Sequence, residues 1–162
     1  KDGGAIYNSS GELTITKSTL NNNTAQGKYS SGGAIYNTSE LSITESTFKS
    51  NTALVDGGAI NNQKGAVGLV EGCEFNGNSA NCEGGAINNY GTLKIENSKL
   101  VENKAGHNGG VLRTHKDSYL WIGESNEFFD NEASNLSAYA PAYVVNYCDL
   151  GSYFYNYVCF PI

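Results

Sequence analysis

A pair of adjacent glycines recurs five times in this chain, at Gly3-Gly4, Gly32-Gly33, Gly57-Gly58, Gly84-Gly85 and Gly109-Gly110. The intervals are 29, 25, 27 and 25 residues. Self-similarity at a period of this size is the signature of a repeat architecture, in which each unit is stabilised by its neighbours. Each pair is followed by a small and then an aliphatic residue: Ala5-Ile6, Ala34-Ile35, Ala59-Ile60, Ala86-Ile87 and Val111-Leu112. Two positions further on stands a polar residue, at Asn8, Asn37, Asn62, Asn89 and Thr114.

The rest of each unit is equally regular. A short alternating run follows, as in Leu13-Thr-Ile15, Leu41-Ser-Ile43, Gly68-Leu-Val70, Leu93-Lys-Ile95 and Leu120-Trp-Ile122. Period-2 alternation signals a strand. A small residue comes next (Ser18, Ser46, Cys73, Ser98, Ser125), then a large apolar one with Asn three places later: Leu20/Asn23, Phe48/Asn51, Phe75/Asn78, Leu100/Asn103 and Phe128/Asn131. No segment carries helical periodicity. Three short strands per unit, separated by Gly, Ser and Asn turns, predict an all-β chain wound as a right-handed, single-stranded parallel β-helix. It would have about five coils over residues 1–133. Stacked coils would set equivalent residues in ladders about 4.8 Å apart. A β-sandwich has turns at similar spacing but no reason to repeat one side-chain type at five equivalent places.

Composition narrows the function. The 20 glycines and the many asparagines suit tight turns, because both residues tolerate left-handed backbone. The net charge of -6 leaves no basic stripe for nucleic acid. No apolar run reaches the length of a membrane span, so direct membrane insertion is not expected. The chain opens on Lys1, two residues before the first glycine pair, as expected of a chain whose upstream part has been removed. Cys73, Cys82, Cys148 and Cys159 lack zinc-site spacing, and no metal or cofactor is expected. Disulfides among them are expected in preference to free buried thiols, with the connectivity open. Sequons at Asn8, Asn22, Asn37 and Asn135 make these candidate glycosylation sites.

With GGA[ILV] and FxxN both in place, the chain resembles the polymorphic membrane protein repeats of chlamydiae. Similar repeats occur in adhesin-like surface proteins of methanogenic archaea and of some eukaryotes. GGAI stands intact four times and once as Gly109-Gly-Val-Leu; FxxN stands at Phe48, Phe75 and Phe128, with Leu in the first and fourth units. The resemblance covers residues 1–133. It implies an extracellular or cell-surface adhesion module, with surface glycans or a receptor on a host or neighbouring cell as partners.

Parallel β-helices also host polysaccharide lyases and hydrolases, and those reactions need clustered charge. The single arginine, Arg113, and His115 point outward on the fifth coil if Leu112 points in. Asn88 and Tyr90 would be their neighbours on the coil below. A carboxylate within about 4–6 Å of Arg113 or His115 would supply the charge partner such a site needs. Arg113, His115, Tyr90 and Trp121 are therefore the candidate binding residues, Trp121 because an indole can stack on a sugar ring. No catalytic residue is assigned.

Residues 134–162 break the pattern. They carry six of the 11 tyrosines and read as an aromatic cap or a degenerate sixth coil. At the other end Ala5, Ile6, Tyr7 and Asn8 would expose an unpaired strand edge and half of a core ladder. Head-to-tail contact of that end with Tyr143, Tyr153, Tyr155 and Tyr157 of another copy, or with the rest of a longer chain, is expected to cover it. The sequence thus favours a non-enzymatic surface module, adhesive or filament-forming, with a polysaccharide-binding or polysaccharide-degrading β-helix as the alternative.

Overall fold

The computed structural model describes residues 1–123 and 125–133, together with the backbone of two later strands, Ser152–Tyr155 and Val158–Pro161. Residues 1–133 form a parallel β-solenoid of five coils, without helix among the described residues. Strands from successive coils pair in parallel and in register to make four five-stranded sheets. Sheet 1 holds Ile6–Asn8, Ile35–Asn37, Ile60–Asn62, Ile87–Asn89 and Leu112–Thr114. Sheet 2 begins with Glu12–Thr16 and ends with Tyr119–Ile122, and sheet 3 runs from Thr19–Asn21 to Glu127–Phe129. A fourth sheet of two-residue strands, Thr24–Ala25 to Glu132–Ala133, was not foreseen. Its strands are too short to show alternation, and only the neighbouring coil reveals them.

The two glycines of each pair serve different needs. The first sits at positive φ, between 65° and 71° from Gly3 to Gly109, where a side chain is strained. The second has no room for a Cβ. An added methyl at Gly4, Gly33, Gly58 or Gly85 would strike the carbonyl oxygen of the second glycine of the next coil. The motif is thus a point where consecutive backbones press together.

Inside, the ladders read from the sequence are present. Ile35, Ile60, Ile87 and Leu112 pair in sequence and are buried, as are Ile43, Val70 and Ile95. Phe48 and Phe75 stack with ring centres 4.8 Å apart. The asparagines form two columns of amides. Asn8, Asn37 and Asn62 each donate Nδ2 to Oδ1 of the next, at 2.7–2.9 Å, and Asn89 donates to Thr114 Oγ1. The FxxN column does the same from Asn23 to Asn131 at 2.9–3.0 Å. The three-residue spacing has a cause: each Asn also donates to the carbonyl of the large apolar residue one coil earlier, Asn51 to Leu20, Asn78 to Phe48 and Asn103 to Phe75. Buried polar groups are thereby satisfied without water.

The corner column departs from expectation in the fifth coil. Asn126, not Ser125, accepts the backbone N–H of Ser98, because one extra residue separates Ile122 from Phe128. The strands Ser152–Tyr155 and Val158–Pro161 pair antiparallel with each other, apart from the four solenoid sheets. The rest of the expected cap, including the proposed sixth coil at 142–146, lies outside the described residues.

Candidate functional site

The outer face of sheet 1 is a furrow between two walls. Its floor is the column that points away from the core: Tyr7, Tyr36, Asn61, Asn88 and Arg113, paired coil to coil. Along one wall lie the residues just before the glycine pairs, Ser31, Asp56, Glu83 and Asn108. Their side chains are linked up the stack. Asp56 Oδ1 accepts the N–H of Glu83 at 3.1 Å, and Asn108 Nδ2 donates to Glu83 Oε1 at 2.8 Å. Along the other wall stand Gln63, Tyr90 and His115. Tyr90 and His115 stack face to face, with centroids 3.8 Å apart and planes 14° apart.

In the upper coils the walls reach across the floor. The Tyr90 hydroxyl lies 3.5 Å from Asp56 Oδ2, His115 Nε2 lies 3.5 Å from Glu83 Oε2, and Arg113 Nε lies 3.6 Å from Glu83 Oε1. Beneath this roof Asn61 and Asn88 are buried, at 1% and 0% exposure, although they point away from the core. Asn88 Oδ1 meets His115 Nε2 at 2.8 Å, while Asn88 Nδ2 makes no hydrogen bond within 3.5 Å. Burial lowers the His115 pKa, Glu83 opposing and Arg113 adding to the effect, so the imidazole is held neutral. Burial raises Asp56, and burial with the nearby Asp56 charge raises Tyr90. The expected charge partner of Arg113 and His115 is therefore present: it is Glu83.

Three segments of the chain, residues 17–38, 45–63 and 72–90, match the family model of the Chlamydia polymorphic membrane protein repeat. Each match runs from the corner after sheet 2, through the inward Leu or Phe and its Asn, to the glycine pair and sheet 1. These three segments are similar to that repeat. No curated protein and no solved structure matches the chain. The furrow lies outside what the repeat motif specifies. In this chain the glycines, the inward aliphatics and the Asn columns are scaffold, whereas Asp56, Glu83, Gln63, Tyr90 and His115 stand outside the GGA[ILV] and FxxN motifs.

The structure brings Arg113, His115 and Tyr90 together, and adds Asp56, Glu83 and Asn88. Sequence reading overlooked the acidic wall because Asp56 and Glu83 precede the glycine pairs as members of a column that reads Asp2, Ser31, Asp56, Glu83, Asn108, with no constant residue type. Their common offset from each pair was the available signal. Trp121 does not join them. It lies on the outer face of sheet 2, with Lys94 Nζ 4.6 Å from its ring centre and Lys94 also paired to Glu96 at 2.8 Å.

Two sets of expected sites are corrected. Cys73 and Cys82 are free thiols, not disulfide partners. Cys73 replaces serine in the corner column and turns its thiol onto the carbonyl of Glu71 at 3.2 Å. Cys82 lies at another corner, with two strands of the coil between them. Burial raises both thiol pKa values, which disfavours the reactive thiolate. Cys148 lies outside the described residues, and only the backbone of Cys159 is described. Asn8 and Asn37 cannot serve as glycan acceptors in the fold, because both are buried with their amides bonded in the first column. Asn22 remains exposed, on a turn at positive φ. Asn135, Tyr143 and Tyr157 lie outside the described residues, and Tyr153 and Tyr155 fall in the strand Ser152–Tyr155.

Proposed function

We propose that this chain is a non-enzymatic, adhesin-like module of a cell surface, whose solenoid continues end to end with further coils. The observation that carries the reading is the match of three successive units to a repeat of surface proteins. The stacked geometry supports the continuation. Among the described residues, the outer edges of the first and last coils pair with no strand. No described side chain donates to Oδ1 of Asn8 or Asn23, where the two amide columns begin. Ile6, Leu13 and Leu20 are only half buried there, and Tyr7 is 54% exposed on its stack with Tyr36. A coil carrying two further asparagines, from a longer chain or another copy, would extend both columns with unchanged polarity.

Antibodies raised against residues 1–133 should label intact, unpermeabilised cells, and labelling only after permeabilisation would overturn the surface placement. Sedimentation of the isolated chain should show association that grows with concentration. It should weaken in Ile6→Lys, which sets a charge on the open core ladder. A strictly monomeric species at high concentration would leave the end-to-end contact between copies without support.

A further inference from the structure

We propose that the furrow on the outer face of sheet 1 binds a neutral saccharide, held by Asp56, Glu83, Asn88, Tyr90, Arg113 and His115. This deepens the adhesion reading and takes its biological sense from it. The argument begins with bonds left unmade. Asn88 is fully buried, yet its Nδ2 makes no hydrogen bond within 3.5 Å, and a weaker interaction with the Tyr90 hydroxyl leaves it poorly satisfied. A buried donor without an acceptor costs about 1–3 kcal/mol. The two Asn columns, by contrast, are bonded at 2.7–3.0 Å throughout. The contacts roofing Asn88 are of another quality. Apart from the 2.8 Å bond between His115 and Asn88 Oδ1, two of these contacts, Tyr90 to Asp56 and His115 to Glu83, lie at 3.5 Å, where a direct hydrogen bond is barely made. Contacts this long are weak, so a saccharide hydroxyl that parted the two walls would exchange them for shorter hydrogen bonds to both.

The chemistry of the walls selects the ligand. Asp56 and Glu83 can accept hydroxyl protons, Asn88 Nδ2 and Arg113 can donate to hydroxyl oxygens, and the stacked Tyr90 and His115 offer ring surface. A group that both donates and accepts, repeated at short intervals on an apolar ring, is a sugar. Two carboxylates against one arginine, with the imidazole neutral, disfavour an anion. No group of acidic, histidine or cysteine side chains among the described residues could hold a metal ion. The same outward column leads past Asn61 and Gln63 to the stacked Tyr36 and Tyr7 rings, and the exposed Tyr7 gives a longer saccharide a further ring to lie on.

The test uses the intact chain and five probes: cellotetraose, mannotetraose, chitotetraose, the acidic tetragalacturonate and a neutral tetrapeptide. At least one neutral tetrasaccharide should bind with a Kd of about 1 mM or tighter. Its addition should shift the Asn88 side-chain amide and the His115 ring resonances in NMR spectra. Glu83→Gln should weaken that binding about tenfold or more with no loss of melting temperature. Should Glu83→Gln fail to fold, Asp56→Asn and the wild-type resonances carry the test. Resonances unmoved by every neutral saccharide, tighter binding of tetragalacturonate or the tetrapeptide, or unchanged affinity in both folded variants would each overturn the proposal. Surface labelling of cells is independent of all these outcomes, so failure of the furrow and failure of the surface reading are distinguishable.

Discussion

At the scale of single residues, the repeat motif divides into positions with separate physical causes. Gly58 sits where a Cβ would meet the Gly85 carbonyl, which is backbone and cannot move aside alone. Gly11 also has positive φ, but nothing lies within 4 Å of its would-be Cβ. Gly11→Ala should therefore cost about 1 kcal/mol, the left-handed backbone term. Gly58→Ala should cost more than about 3 kcal/mol, since overpacking adds to any strain. Urea unfolding of the two variants measures the difference, and equal costs would contradict the backbone clash. Asn78 supplies a second contrast. Its amide donates to Phe48 O and Asn103 Oδ1, and its Oδ1 accepts both the N–H and the Nδ2 of Asn51. Asn78→Ala should cost about 3 kcal/mol through the orphaned partners. Asn78→Asp should cost more at neutral pH, because carboxylate oxygens would then face two acceptors. It should recover partly in acid as the carboxyl gains a proton to donate, which a pH series of melting temperatures would reveal.

At the scale of the element, the outer side of sheet 1 couples stability to pH. His115 is packed by Tyr90 from the coil below, by Glu83 from the opposite wall and by Arg113 on its own strand; Asp56 lies beyond Tyr90. Its folded pKa lies below the ordinary 6.5. The unfolded chain therefore binds the proton more readily than the fold does. The stability linked to neutral His115 is complete above about pH 6.5 and is lost as pH falls from there to the lowered folded value. Asp56 acts in the opposite sense. Its raised pKa favours the fold at low pH, and that contribution is lost as pH rises through the folded value. Wild-type melting temperature should fall below about pH 6.5 more steeply than that of His115→Gln. Asp56→Asn should remove the opposing acid-side gain. Parallel curves for wild type and His115→Gln would show that His115 is not desolvated in solution.

At the scale of the molecule, stability is a sum over coils and their interfaces. One unit can therefore be removed in register. Deleting residues 57–83 joins Asp56 to Gly84 and brings Ile35 over Ile87, Asn37 over Asn89 and Phe48 over Leu100. The shortened chain should retain a β-rich circular dichroism spectrum and melt cooperatively at a lower temperature. Deleting half that length should abolish folding, because every column would then be out of register. A half-unit deletion that still folded would refute the ladder description.

The repeat, with its paired glycines, inward aliphatics and FxxN asparagines, was readable from the sequence because each has a local reason that recurs every coil. Period-2 alternation marks a strand, and five equivalent isoleucine or leucine positions imply stacking. The outward neighbours of Arg113 and His115 were legible for the same reason: register carries Asn88 to Arg113 and Tyr90 to His115. What lies across the furrow was not legible. Glu83 meets Arg113 and His115 from a loop 30 or more residues away in sequence, and its reach depends on the path of the turn before the glycine pair. The two-residue strands of the fourth sheet, the corner that keeps Cys73 from Cys82, and the burial of two sequon asparagines share that dependence. Strand periodicity fixes which way a side chain points along the coil. Only the three-dimensional path of the loops decides what it meets on the other side, and there the inward columns became scaffold while the unrepeated wall residues were brought face to face.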